Sequence, residues 1–220
     1  MTLSPIPVAV LGAGGTGLLM AETVRKLDRY HFLGFLDDDP AKRVAGYEGW
    51  HVPATLDEWA GLPEETLFLS SLYAPKRNPA FLERISSLGI PEKRWATLVD
   101  PSAVVSLSAG LEPGVYVGPR CVVEPRASLG PCAVLLGAVY LAHHSRLERY
   151  ACCANSASVA GRCAIGEAAF IGANVSLREG VAIGRNAVVG LGSTVLESVA
   201  EGVVVAGSPA RPLSRTGSGS

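Results

Sequence analysis

"IGEAAFIGANVSLREGVAIGRNAVVG", residues 165–190, repeats itself every six residues. An aliphatic side chain returns at Ile165, Ile171, Leu177, Ile183 and Val189, and a small or β-branched one sits four places after each. The register extends backward without a break to Val105 and forward to Val195, giving sixteen apolar positions in step. A period of six fits neither an α-helix, at 3.6, nor an ordinary strand, at 2. It fits a three-sided β-solenoid, each side taking six residues and each coil eighteen. The aliphatic residue then points inward, and so does the small one, where a larger side chain would not fit. Glycine often follows the aliphatic residue, as in "VGPRCV" and "IGRNAV". Those glycines are expected at corners that need unusual φ/ψ. Each coil buries its face on the next, so about five coils form one continuous core.

The first hundred residues read differently. "IPVAVLGAGGTGLLMAETVRKL" is an apolar strand, a glycine-rich turn and an amphipathic helix, and Gly12, Gly14 and Gly17 satisfy G-x-G-x-x-G. "HFLGFLDDDP" supplies a second strand ending at Asp37, Asp38 and Asp39, "TLFLSSLY" a third, and "NPAFLERISSLG" a helix. This is a βαβαβ pattern with a parallel sheet. Asp37 follows Gly17 by twenty residues, where a dinucleotide fold keeps its ribose-binding acid. A phosphate would rest on the helix N-terminus at Gly14, Gly15 and Gly17; the alternative is a tight turn with no ligand. The three aspartates equally fit a solvated turn before Pro40. The unit is too short for a two-lobed dinucleotide domain, so a nucleotide carrying a small group suits it better than NAD.

Composition bounds the rest. The chain has 220 residues, 48% hydrophobic and 18% charged, with a net charge of −1. No basic stripe points to nucleic acid or a membrane surface, no apolar run reaches the roughly 18 residues of a membrane helix, and the N-terminus lacks signal-peptide features. All three Trp precede residue 100 and all five Cys follow residue 120, which suggests two units. The odd cysteine count and the lack of a C-x-x-C pair argue against a disulfide framework or zinc cluster. A reduced, cytoplasmic protein without metal is expected.

The repeat looks like the hexapeptide-repeat left-handed parallel β-helix; the hand comes from that likeness, since the usual crossover rule gives the opposite one. Joined to a short Rossmann-like domain, it resembles the bacterial sugar acyltransferases of the sialic-acid O-acetyltransferase type. These include N-acetyltransferases that act on nucleotide-linked 4-amino sugars. The resemblance is carried by "GAGGTG" (12–17), "FLDDD" (35–39), the His143 segment, "IGANVSL" (171–177), "GRNAVVGLGSTV" (184–195) and "VVVAGSPARPL" (203–213). It implies a nucleotide-sugar-binding domain over 1–98, an acyltransferase β-helix over 99–213 and a flexible tail over 214–220. The implied activity is acetyl-CoA-dependent acetylation of an amine or hydroxyl on a nucleotide-linked sugar, by direct transfer in a homotrimer. His143 matches the family's general base. Gly12, Gly14, Gly15, Asp37 and Asp38 match the nucleotide-sugar site, and Cys152, Gly161, Gly190, Pro209 and Arg211 fall along the acetyl-CoA side.

The sequence departs from the family in three places. The carboxylate that follows the base is His144 here, a second histidine nine residues later is Cys152, and a glycine-asparagine pair reads Leu72-Tyr73. Coil arithmetic adds that Gly161 stacks one coil after His143, as a candidate oxyanion donor. By the same count His144 stacks between Arg126 and Arg162. His143 otherwise reads as a surface or interface histidine, and Gly161 as a corner. A zinc ligand is the remaining alternative for His143, although His31 and His51 lie in the other unit. The rival to an enzyme is a nucleotide-sugar-binding trimer that has lost its activity.

Overall fold

The computed structural model describes residues 4–72 and 78–213, so Tyr73 and the segment 214–220 lie outside the described residues. Strands β1 (Ile6–Leu11), β2 (Tyr30–Leu36) and β3 (Leu67–Ser70) form a parallel sheet in the order β2-β1-β3. β1 is central, and Val8, Ala9, Val10 and Leu11 are fully buried, as a parallel strand covered on both faces requires. Helix α1 (Gly15–Arg25) buries Met20, Ala21 and Val24 against the sheet. The second crossover, residues 37–66, is mostly irregular and carries one short α-helix, α2 (Pro40–Ala45), and a 3-10 turn at Asp57–Gly61. Helix α3 (Asn78–Ser87) follows β3. The glycine-rich turn therefore opens at the carboxyl ends of all three strands, where ligands bind open α/β sheets.

From Leu98 the chain winds into a left-handed parallel β-helix of two-residue strands. Successive strands take successive sides, and strands eighteen residues apart pair in register, for example Tyr140↔Ser158 and Leu141↔Val159. The first face runs from Leu98–Val99 to Val188–Val189, the second from Val104–Val105 to Thr194–Val195, and the third from Gly110–Leu111 to Ala182–Ile183. A hairpin, Val204–Gly207 with Ala210–Pro212, closes the stack. The second residue of each strand and the small residue four places on fill the prism. Leu135, Leu141, Val159, Ile171 and Val189 are fully buried with Ala133, Ala151 and Ala169 between them. Where the small residue is Ser145, its hydroxyl donates to Ala160 O at 2.7 Å and accepts from Cys163 N at 3.0 Å, so no buried polar group is stranded there.

The glycines that follow the aliphatic residues do not make the corners. Gly118, Gly166 and Gly172 have no positive φ. A Cβ on Gly172 would lie 2.6 Å from Leu191 N, and one on Gly166 2.7 Å from Arg185 N. They are glycines because the next coil's backbone passes too close for a side chain. The left-handed conformation falls two residues later; glycine holds it at Gly114, Gly180 and Gly192, but ordinary residues adopt it elsewhere, as at Arg126 (φ 59°), Ala138 (58°), His144 (59°), Arg162 (58°) and Ala168 (54°). The left-handed region costs a non-glycine residue about 1–2 kcal/mol. Bonds between coils hold it in place, such as His144 N–H to Pro125 O at 3.2 Å and Arg162 N–H to His143 O at 3.0 Å.

The first face is covered over its earlier rungs, while Val188 is half-buried and Val204 exposed toward its end. Its outward residues Leu98, Tyr116, Val134, Cys152 and Phe170 pack with Val8, Val10, Met20 and Val24 in one cluster. Beside it a polar group ties α1 to the solenoid. Asp100, 1% exposed, accepts from Lys26 Nζ at 2.7 Å and from Ser102 Oγ at 2.7 Å. Thr23 Oγ1 bridges Asp100 and the Tyr116 hydroxyl. No helix among the described residues is long and apolar enough to cross a membrane.

Candidate functional site

Four glycines of the turn divide by what surrounds them. Gly12 has φ +96°, and a Cβ there would meet Leu72 Cδ2 at 2.7 Å. A Cβ on Gly17 would lie 2.5 Å from Gly12 O, so this glycine lets α1 sit tight against the strand end. Both are required by the fold itself. Gly14 and Gly15 have nothing within 4 Å of an added Cβ. Among the described residues nothing demands glycine at either place, and they leave the first turn of α1 open to an anion.

The aspartates have distinct tasks. Asp37 Oδ2 accepts from Ala13 N–H at 2.8 Å and from Lys42 Nζ at 3.0 Å, and Asp37 Oδ1 from Asp39 N–H at 2.9 Å. Burial pushes its pKa up, but the two backbone N–H groups and Lys42 outweigh burial and hold the carboxyl below its usual range. Its charge is spent on the turn, whereas a ribose-binding acid would keep a free oxygen. Asp38 faces the cleft: Oδ1 accepts from Leu56 N–H, and Oδ2 pairs with Arg84 at 3.0 Å. Asp39 caps α2. Gly12, Asp37, Asp38, Leu56, Leu72, Phe81 and Arg84 line a cleft of about 280 Å³. Arg84 was not visible in the sequence reading. It holds Asp57 through both oxygens, at 2.7 and 3.0 Å, as well as Asp38, and these partners raise its pKa further. The one available signal was spacing, since Phe81 and Arg84 are three apart on α3 and share a face.

His143 and Gly161 come together as the coil count placed them. His143 sits at the corner between the second and third faces, half-buried, and its ring lies over Gly161. A Cβ on Gly161 would stand 2.6 Å from His143 Cε1 and 2.8 Å from Nε2. Gly161 does not have a positive φ, so the imidazole, and no backbone demand, is what calls for glycine. Its peptide is also oriented. Ala160 O is held inward by Ser145 Oγ, and in a trans peptide the following N–H points the opposite way. No acceptor among the described residues takes a bond from Gly161 N–H. The corner therefore presents an imidazole nitrogen, Nε2, beside a backbone donor with no acceptor among the described residues.

His144 is exposed, and its Nδ1 lies 3.1 Å from His143 Nδ1. Glu124, from the preceding coil, accepts His143 N–H at 2.8 Å and a short bond from the Tyr140 hydroxyl. The Tyr140 bond, then the His143 bond, lower the pKa of Glu124.

The remaining residues of the expected acetyl-CoA side are not brought to this corner within one chain. Cys152 is 2% exposed on the first face, inside the cluster beneath the N-terminal domain, and has no surface to offer a ligand. Gly190 belongs to the corner between the first and second faces, where a Cβ would meet Ala206 Cβ at 2.9 Å. Pro209 and Arg211 lie in the closing hairpin.

The PglD N-terminal domain matches residues 7–70, and the bacterial transferase hexapeptide repeat matches residues 162–197. Over 49 residues the chain is 53% identical to a 2,3,4,5-tetrahydropyridine-2,6-dicarboxylate N-acetyltransferase of Clostridium perfringens, covering 22% of this chain and 21% of that protein. The chain thus spans about a fifth of the length of the curated relatives it matches first. The acetyltransferase domain of PglB from Neisseria gonorrhoeae, solved with acetyl coenzyme A, is similar over 95% of this chain and 100% of its own, with 28% identity and a TM-score of 0.82. A histidine-to-alanine mutant of the GDP-perosamine N-acetyl transferase of Caulobacter crescentus, solved with CoA and GDP-perosamine, shares the fold at 23% identity and a TM-score of 0.81, over 94% and 97% of the two chains. The likeness to acetyltransferases with hexapeptide repeats therefore extends over both domains.

Proposed function

We propose that this chain is an acetyl-CoA-dependent acetyltransferase acting on an amine, or a hydroxyl, of a nucleotide-linked sugar. The observation that carries the reading is the His143–Gly161 corner. His143 Nε2 is the general base: it takes a proton from the attacking group as the new bond to the acetyl carbon forms. The Gly161 N–H supports the oxyanion. The C–S bond then breaks, and the imidazolium returns the proton to the departing thiolate. Acetyl-CoA supplies the activated acyl group, and the likeness to the Neisseria acetyltransferase domain supports it as co-substrate. Gly14, Gly15 and Asp38 line the nucleotide end, with Gly12 and Asp37 shaping the turn. Residues 1–98 would bind the nucleotide sugar and 99–213 carry out transfer.

One chain does not complete this site. The N-terminal domain covers the first face, and His143 stands on the opposite edge, between the second and third faces. A homotrimer in which one chain's cleft meets its neighbour's His143 answers that separation, with Gly190, Pro209 and Arg211 available to a coenzyme lying between chains. The five cysteines, all buried and with no disulfide among them, are in keeping with a cytoplasmic protein.

The test is acetyl transfer to a panel of UDP- and GDP-amino sugars, with His143→Ala beside wild type. Loss of a general base lowers kcat by about a hundredfold or more at unchanged melting temperature. Equal rates would remove His143 from the chemistry. A second reading, a nucleotide-sugar-binding trimer without activity, draws on His144 standing where relatives keep an acid. It predicts tight sugar binding and no turnover.

A further inference from the structure

The Nδ1 atoms of His143 and His144 are 3.1 Å apart. Two hydrogens do not fit between them, and two bare lone pairs repel, so one proton lies between the rings. Two neutral arrangements satisfy this. In the first, His143 donates from Nδ1 and its Nε2 is bare. In the second, His144 donates and His143 carries its hydrogen on Nε2. Only the first leaves a base at the atom that lies against Gly161. We propose that His144 is a positioning residue which, as a neutral imidazole protonated on Nε2, accepts the His143 Nδ1 hydrogen and fixes the tautomer that exposes Nε2. This rests on the reading of His143 as the base.

The two rings have different surroundings. On the His143 side, the Glu124 carboxylate takes the His143 backbone N–H and is itself held by the Tyr140 hydroxyl. On the His144 side, the same left-handed corner position is occupied by Arg126 one coil earlier and by Arg162 one coil later. Arg162 is further tied to Glu179. The two tasks of a carboxylate partner are thereby divided. His144 orients the base, and Glu124, from another coil, supplies the negative charge. When the substrate amine or hydroxyl attacks, its proton moves to His143 Nε2. The Nδ1–H···Nδ1 bond persists, and the imidazolium later protonates the leaving thiolate, so His144 ends each turnover as it began.

Nitrogen NMR on histidine-labelled protein reads the tautomers directly, assigned through the single variants. Wild type is expected to show His143 protonated at Nδ1 and bare at Nε2. In His144→Ala the hydrogen moves to Nε2 and kcat falls at least about tenfold, with KM for both substrates within about twofold. His144→Glu keeps the Nδ1–H form and most of the rate. The corner tolerates alanine, since Ala138 and Ala168 hold the same conformation, and melting curves check the fold. His143 carrying its hydrogen on Nε2 in wild type, or an unchanged tautomer in His144→Ala, would overturn the proposal. The expected tautomers with no acetyl transfer to any acceptor would support the positioning role and sink the reading of His143 as a base.

Discussion

Gly161 shows how much a single residue's chemistry depends on its neighbour. Its glycine identity is set by the imidazole lying on it, so Gly161→Ala has a specific expected outcome. The new Cβ would occupy space 2.6 Å from His143 Cε1, and the half-buried ring can swing toward water. Acetyl transfer should fall by about a hundredfold while denaturation changes by less than about 1 kcal/mol. A large loss of stability with the rate per folded molecule preserved would refute this account. The pairing of His143 with Gly161 is legible in the sequence, because a period of eighteen fixes which residues stack. The Nδ1–Nδ1 contact is not, because residue spacing says nothing about rotamers. Ser145 is equally hidden: the repeat marks it only as small, and its hold on Ala160 O needs the carbonyl's position.

At the scale of the element, one residue type does three jobs. Glycines after the aliphatic residue make room for the next coil's backbone. Gly12 adopts a left-handed turn, and Gly14 and Gly15 leave open space. These differences are separable by experiment. Gly172→Ala forces a methyl against Leu191 N and Val189 O, and should cost about 1–3 kcal/mol in urea unfolding. Gly15→Ala puts a better helix former at the start of α1 and should be neutral or stabilising by up to about 1 kcal/mol. It should nevertheless weaken nucleotide-sugar binding measured by calorimetry; unchanged affinity would argue against an anion at that turn. The sequence located all the repeat glycines but assigned the wrong reason to those after the aliphatics, since a pattern shows where a residue recurs and not which clash excludes its alternatives. The apolar strands β1, β2 and β3 were legible by the same kind of reading. The irregular crossover 37–66 was not, because its shape is set by contacts such as Leu56 N–H with Asp38 that have no period.

At the scale of the whole molecule, the docking of the two units rests on an apolar first face with Asp100 at its margin. Burial raises the Asp100 pKa, and bonds from Lys26 and from the Ser102 hydroxyl and N–H outweigh it, leaving the folded value below the usual 3.8. A lowered folded pKa gives stability that is complete well above 3.8 and is lost as pH falls through the folded value. Asp100→Asn should therefore cost about 1–3 kcal/mol at neutral pH, and the gap to wild type should narrow in thermal melts taken below pH 4. A constant gap down to the lowest pH would show that the charge is not what matters. The outward residues of the first face, Tyr116 and Cys152 among them, could not be read as a domain contact from the repeat, which predicts only what points inward. The matched rungs have one more effect: each coil adds one rung, from eighteen residues in most of the stack and from sixteen in the last coil, where Val188 pairs with Val204. One added coil after Gly161 would leave the His143 corner intact and carry the closing hairpin about 4.8 Å farther away. The stack is in that sense a ruler, graduated in rungs, between the corner where an acyl group would be handed over and the end where the carrier's far part would be held.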